Sequence, residues 1–154
     1  MLHPYLSHRF QTNNWRLQYR RLGYDVFGET LLPGTKSKRG NNYAKVFVTN
    51  FGWSRAFTMA KKGDAHEALS LLFQRDGLPT NIIFDGLKEK TLGDFKCKIA
   101  DAGCHSRQTE PEPPRKMAAE GGICELKKGS DRMMTKMKSA KVIWGDFLEL
   151  EAYI

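Results

Sequence analysis

The chain has only three cysteines, Cys97, Cys104 and Cys124, and no two of them form a Cys-x-x-Cys pair. Their number and spacing leave no disulfide framework and no structural zinc, and point to reduced, partly buried thiols of an intracellular protein. Apolar runs long enough for a membrane span, which takes about 18 residues, are missing. A secretory leader is not expected either, because Met1-Leu2-His3-Pro4 runs into polar and basic residues instead of an apolar stretch. Acidic residues are absent from the first 23 positions.

What fills that acid-free stretch is an alternation of basic and aromatic types: His8, Arg9, Phe10, Trp15, Arg16, Tyr19, Arg20 and Arg21. Residues 1–46 carry eight Lys or Arg against Asp25 and Glu29, so most of the formal net charge of +8 lies there. A polyanion is the economical partner of such a face, and nucleic acid is the usual one. Basic side chains meet phosphates and aromatics stack on bases. The candidate contacts are Arg16, Arg20, Arg21, Lys36, Lys38 and Arg39, with Lys127 and Lys128 further along. A short helix packed on the core is the other reading of the first 23 residues. Hydrophobic residues make up 40% and charged ones 27% of the 154 positions, which is globular composition. The expected organisation is a basic aromatic arm over 1–23 and one domain over 24–154.

Three strands open that domain: 24–32, 43–49 as a half-buried alternating strand, and 54–60, joined by turns into an antiparallel meander. Asp64 followed by Glu67 resembles a capping box, and Leu69, Leu72 and Phe73 give the ensuing helix its apolar stripe until Gly77 and Pro79. A fourth strand covers 81–85. Leu92, Phe95, Ile99 and Ala102 mark a second helix, 104–109 a fifth strand, and a helix runs from about 115 to 128. Met133, Met134 and Met137 then fall at helical spacing, and 142–154 reads as a last amphipathic helix that stops without a cap, as a shortened domain would. Helices interspersed with strands after a meander indicate an α/β sheet covered on its faces. That order is the order of the ribonuclease-H-like fold: a five-stranded mixed sheet with helices on both faces.

Asp85 closes the fourth strand, and Glu120 stands in the first turn of the third helix. Carboxylates held on rigid elements suit a divalent cation, which as a hard ion takes oxygen ligands. The same two positions also suit a turn cap and a helix N-terminus, respectively. His66, in the first turn of a helix, and His105, on the fifth strand, are expected in capping and packing roles, since a hard-metal site takes oxygen ligands.

Several long phrases in order resemble the integrase core of copia-type retrotransposons. They are SKRGNNYAKVFVTNFGWSRAFTM (37–59), DAHEALSLLFQRDGLP (64–79), FDGLKEKTLGDF (84–95), AGCHSRQTEP (102–111), AAEGGICELKKGSDR (118–132) and the closing LELEAYI. The resemblance implies a metal-dependent polynucleotidyl transferase that joins element ends to target DNA, using Asp, Asp and Glu with Mg2+ or Mn2+ and no small-molecule cofactor. It also implies a nuclear, intracellular protein that works on DNA as a homo-oligomer. Asp85 matches the second aspartate and Glu120 the glutamate. The first aspartate's register falls on Glu29, which adds a methylene, with Asp25 as the alternative. Gly121 and Gly122 lie in the helix that carries Glu120, each costing about 1 kcal/mol relative to alanine. These departures also admit a second class, a non-catalytic nucleic-acid-binding or interaction module derived from a transposable element.

Overall fold

A computed structural model describes residues 24–49, 51, 53–84, 93–108, 114–136 and 143–153, the side chains of 108, 114–119 and 150–153 excepted. The elements run β1 (Asp25–Leu31), β2 (Tyr43–Val48), β3 (Ser54–Met59), a 3-10 turn (Lys62–Asp64), α1 (Ala65–Arg75), β4 (Asn81–Phe84), α2 (Gly93–Asp101), β5 (His105–Gln108), α3 (Pro114–Lys136) and α4 (Trp144–Tyr153). The five strands form one mixed sheet in the order β3-β2-β1-β4-β5. β1 pairs antiparallel with β2 and parallel with β4, and β5 adds to β4 in parallel.

Side chains alternate between two cores, as a pleated strand requires. Val26, Phe47, Phe57 and Ile82 face Leu69, Leu72 and Phe73 of α1 and Phe95 and Ile99 of α2. Phe27, Leu31, Val46, Val48 and Ala56 face Ile123 and Leu126 of α3 and Trp144 and Leu148 of α4. Helices therefore cover both faces of the sheet.

Local chemistry explains where the helices stop. After α2, Gly103 takes φ +68°, its N–H donates to the Ala100 carbonyl, and the Cys104 N–H donates to the Ile99 carbonyl. This paired closure needs a residue free to adopt a left-handed backbone, and glycine supplies it. The chain then enters β5 directly.

Three expectations need correction. Asp64 does not cap α1 with its side chain; its carboxylate accepts from the Lys61 N–H at 3.0 Å and closes the preceding 3-10 turn. β2 is not half-buried: every residue from Ala44 to Val48 is buried, because both faces of this inner strand carry helices. The third helix does not stop near Lys128. It continues through Gly129 to Lys136, about 34 Å in all, because Ile123, Leu126, Ser130 and Met134 keep one stripe against the sheet and α4.

Two glycines predict opposite responses. A Cβ at Gly145 would lie 2.9 Å from Thr58 Cγ2, whereas one at Gly121 would meet nothing within 4 Å. Gly145→Ala is expected to destabilise the fold by about 1–3 kcal/mol as α4 is pushed off β3. Gly121→Ala is expected to stabilise it by about 0.5–1 kcal/mol through helix propensity. Urea denaturation of the two variants checks both signs.

Candidate metal and nucleic-acid site

β1 carries both candidates for the first carboxylate, Asp25 at its first position and Glu29 at its fifth. Asp25 pairs with Asn81 at the start of β4, and the Asn81 side-chain amide donates to Asp25 Oδ1 at 2.6 Å. Glu29 follows Gly28, which pairs with Phe84, the last described residue of β4. Four residues of strand separate the two by about 13 Å. They cannot serve one metal ion together.

Glu29 pairs with Val46, and cross-strand partners share a face, so its half-buried side chain lies on the face that α3 and α4 cover. α3 reaches this face closely: a Cβ on Gly122 would stand 3.9 Å from the Val48 side chain, an ordinary contact. Glu120 is exposed and lies in the second turn of α3, not the first as expected, because the helix already begins at Pro114; it stands about one turn before Ile123, the first α3 residue in that core. α3 packs on the face to which Glu29 belongs, and no hydrogen bond joins Glu29 to Glu120 among the described residues. Asp85, which follows Phe84 in the sequence, lies outside the described residues. Among the described residues no three carboxylate, histidine or cysteine side chains gather as a metal site. The donor chemistry of the carboxylates nevertheless fits a hard divalent cation. His66 Nδ1 donates to the Gly63 carbonyl at 2.7 Å, tying the start of α1 to the turn before it, and His105 is exposed on β5.

The basic candidates divide into two kinds. Lys36, Lys38 and Lys127 are exposed, and none of them enters an ion pair among the described residues. Arg39 and Lys128 are occupied. The Arg39 guanidinium meets Asp146 at 2.7 Å and Glu149 at 3.7 Å, which joins the β1–β2 loop to α4. Lys128 holds Glu125 at 3.0 Å, with Arg132 at 3.5 Å on the other carboxylate oxygen. Arg16, Arg20 and Arg21 lie outside the described residues.

One buried group escaped the sequence reading. Lys45 is fully buried in β2, with Nζ 3.3 Å from Thr30 Oγ1 and 4.9 Å from the centre of the Phe95 ring. Its place between Ala44 and Val46 marks the polar side of an alternating strand, which normally faces water. Here α2 covers that side, and a hydroxyl and an aromatic face receive the ammonium. No local pattern marks this, because the inner position of β2 depends on strand pairing.

No protein-family model matches the chain, and no curated protein matches it. Solved structures do. The chain superposes with a TM-score of 0.68 and 15% identity on a chain of the cryo-EM structure of the simian T-cell lymphotropic virus intasome in complex with the PP2A regulatory subunit B56 gamma, covering 88% of this chain and 50% of that one. It superposes with a TM-score of 0.65 and 16% identity on the crystal structure of the catalytic core domain of BIV integrase, covering 85% of this chain and 82% of that one. It thus spans half the length of the first and most of the second. At such identities the likeness is one of fold. The fold is ribonuclease-H-like, that of a retroviral integrase catalytic core.

The exposed cluster on α3 makes a pH prediction. The hydrogen bond and charge of Lys128 hold the Glu125 carboxyl below its ordinary range, and Glu125 in turn raises Lys128. A lowered carboxyl pKa gives stability that is present at neutral pH and fades as pH falls through the carboxylate range. Solvent keeps that contribution small at this surface position. Lys128→Met is expected to return the Glu125 titration upward toward its ordinary value, with little change in unfolding temperature; carboxyl carbon NMR across the acid range reads the shift.

Proposed function

We propose that this chain is an integrase-type catalytic core of copia-type retrotransposon origin, which binds DNA and transfers a polynucleotide end by metal-dependent displacement at phosphorus. The observation that carries the reading is the centre of the sheet. β1 and β4 run in parallel, Glu29 stands one residue beyond the Gly28–Phe84 pair, and α3, the helix that carries Glu120 in sequence, packs on the face to which Glu29 belongs. Glu29, Asp85 and Glu120 are the carboxylates assigned to Mg2+ or Mn2+. Bound divalent ions supply charge stabilisation at the attacking and leaving oxygens of the in-line displacement. The chain's own part is to hold two carboxylates on a strand and a helix that belong to one packed core, so that their spacing does not drift. Asp25, held by Asn81 at the far end of β1, is the less favoured first ligand.

Lys36, Lys38 and Lys127 are the DNA contacts assigned among the described residues, because their ammonium groups are exposed and not taken up by acidic neighbours. Arg16, Arg20 and Arg21 extend the same basic set. The likeness to an intasome chain supports a multimer of this chain on DNA, and a nuclear place of action belongs to the same reading.

The second reading, a nucleic-acid-binding module without catalysis, draws on glutamate in the place of the first aspartate. Its longer side chain displaces the oxygens by about one bond length in a site that tolerates roughly 0.5 Å.

A strand-transfer assay with Mg2+ or Mn2+ decides between the two. Wild type is expected to join ends, Asp85→Asn and Glu120→Gln to fall to background, and Glu29→Asp to retain or raise activity. Equal background from wild type and Asp85→Asn removes the catalytic reading. DNA affinity is expected to fall about 40-fold between about 50 and 200 mM salt if the three lysines each release a counterion. Replacing any one of them with methionine lowers the salt slope by about one. No measurable DNA affinity at low salt would overturn both readings.

A further inference from the structure

A concavity lies where the end of β1 meets α3 and α4. Its volume is about 340 Å³, at the lower end of the range for small-molecule sites. Leu31, Met134, Trp144 and Leu148 make its apolar walls, and Leu32, 65% exposed, stands at its mouth. Three polar residues of α3 enter the same lining: Lys127, Ser130 and Asp131.

Ser130 is the informative member. It is 4% exposed, and its hydroxyl has no hydrogen-bond partner among the described residues. The comparable hydroxyls of Ser70 and Thr135 bond back to the carbonyls of His66 and Asp131, at 2.9 Å each. A buried hydroxyl left unsatisfied is costly, so a group that meets it from the cavity gains both a hydrogen bond and relief of that cost. Lys127 and Asp131 are exposed and four residues apart, on one face of the helix, and neither enters an ion pair among the described residues. The cavity therefore offers a cation, an anion and a hydroxyl beside apolar walls that include an indole.

We propose that this cavity binds a small zwitterion with a large apolar body, the chemistry of a free α-amino acid with an aromatic or branched side chain. The ligand carboxylate pairs with Lys127 and accepts from the Ser130 hydroxyl. Its ammonium pairs with Asp131, and its side chain fills the space among Met134, Trp144 and Leu148. An anion alone would leave Asp131 repelling it, and a cation alone would do the same with Lys127. None of the assigned carboxylates takes part, so the proposal does not rest on the catalytic reading; Lys127 is shared with the assigned DNA contacts, and ligand and DNA would compete for it.

The test uses the full chain labelled with 13C at the methionine methyl groups, titrated with L-phenylalanine, 3-phenylpropionate and phenethylamine. L-Phenylalanine is expected to shift the Met134 methyl resonance saturably, and each analogue that lacks one charge to bind at least about tenfold more weakly. Lys127→Met and Asp131→Asn, both at exposed positions, are each expected to weaken L-phenylalanine by a similar factor. Ser130→Leu fills the cavity and is expected to abolish the shift while the amide spectrum stays folded; should that variant not fold, the two rim variants carry the test. Absence of a saturable shift at about 10 mM L-phenylalanine overturns the site. Equal binding of 3-phenylpropionate overturns the zwitterion and leaves a site for apolar anions. An unchanged affinity in both rim variants overturns the assignment of Lys127 and Asp131.

Discussion

The parallel pairing of β1 with β4, set against its antiparallel pairing with β2, is the constraint on which the other features depend. A parallel neighbour cannot be reached by a tight turn, so the chain between β1 and β4 must leave the sheet and return. Here it makes the β2–β3 meander on one side of β1 and then crosses over through α1. The second parallel step, from β4 to β5, brings α2 onto the same face. α3 and α4 are left to cover the other face. β1 ends up with strands on both edges and helices on both faces, and each of its side chains is assigned to a layer by parity alone. Glu29 falls on the face that α3 and α4 cover for that reason, and Asp25, four residues earlier, shares that face.

The outer edge of the sheet is closed by polar contacts that converge on α4. Glu149 Oε1 accepts from both the Thr58 N–H and the Thr58 hydroxyl, so part of the β3 edge is satisfied without another strand. The Trp144 indole donates to the Thr35 carbonyl at 2.7 Å, and Arg39 reaches Asp146. These contacts fasten the β1–β2 loop to α4 beside the cavity that Trp144 lines. On the other face, Arg55 and Asp76 form a two-pronged, largely buried pair that ties β3 to the end of α1. Charged residues that look like surface decoration in a linear reading thus join elements far apart in the chain. Arg39 is the clearest example, since a basic loop residue proves to be an anchor for a helix more than a hundred positions away.

Much of the architecture was legible from pattern. The meander, the alternation of later strands with helices, and the stop of α2 at Gly103 follow from local periodicity and backbone preference, which neighbours in sequence largely decide. The errors share a cause. Asp64 read as a cap because its spacing to Glu67 is right, but its carboxylate was already engaged with the Lys61 N–H. α3 read as ending near Lys128, but the packing of Ser130 and Met134 carries it on through Gly129, whose weak helix propensity that packing overrides. β2, which carries Lys45, read as half-buried because alternation cannot tell a strand with one wet face from an inner strand with two dry ones.

The sequence by itself determined the order of elements, the uneven basic charge and the candidate carboxylates on their strand and helix, because each rests on residues close together in the chain. Only the tertiary structure decided that Glu29 lies on the face that α3 and α4 cover, with Asp25 about 13 Å back along β1 on the same face. It alone decided which lysines remain exposed and unpaired, that Lys45 is buried, and that Ser130 opens on a cavity. Those outcomes depend on strand register and on which helix covers which face. Register is a relation between segments some fifty positions apart, such as Asp25 with Asn81, and local pattern carries no record of it.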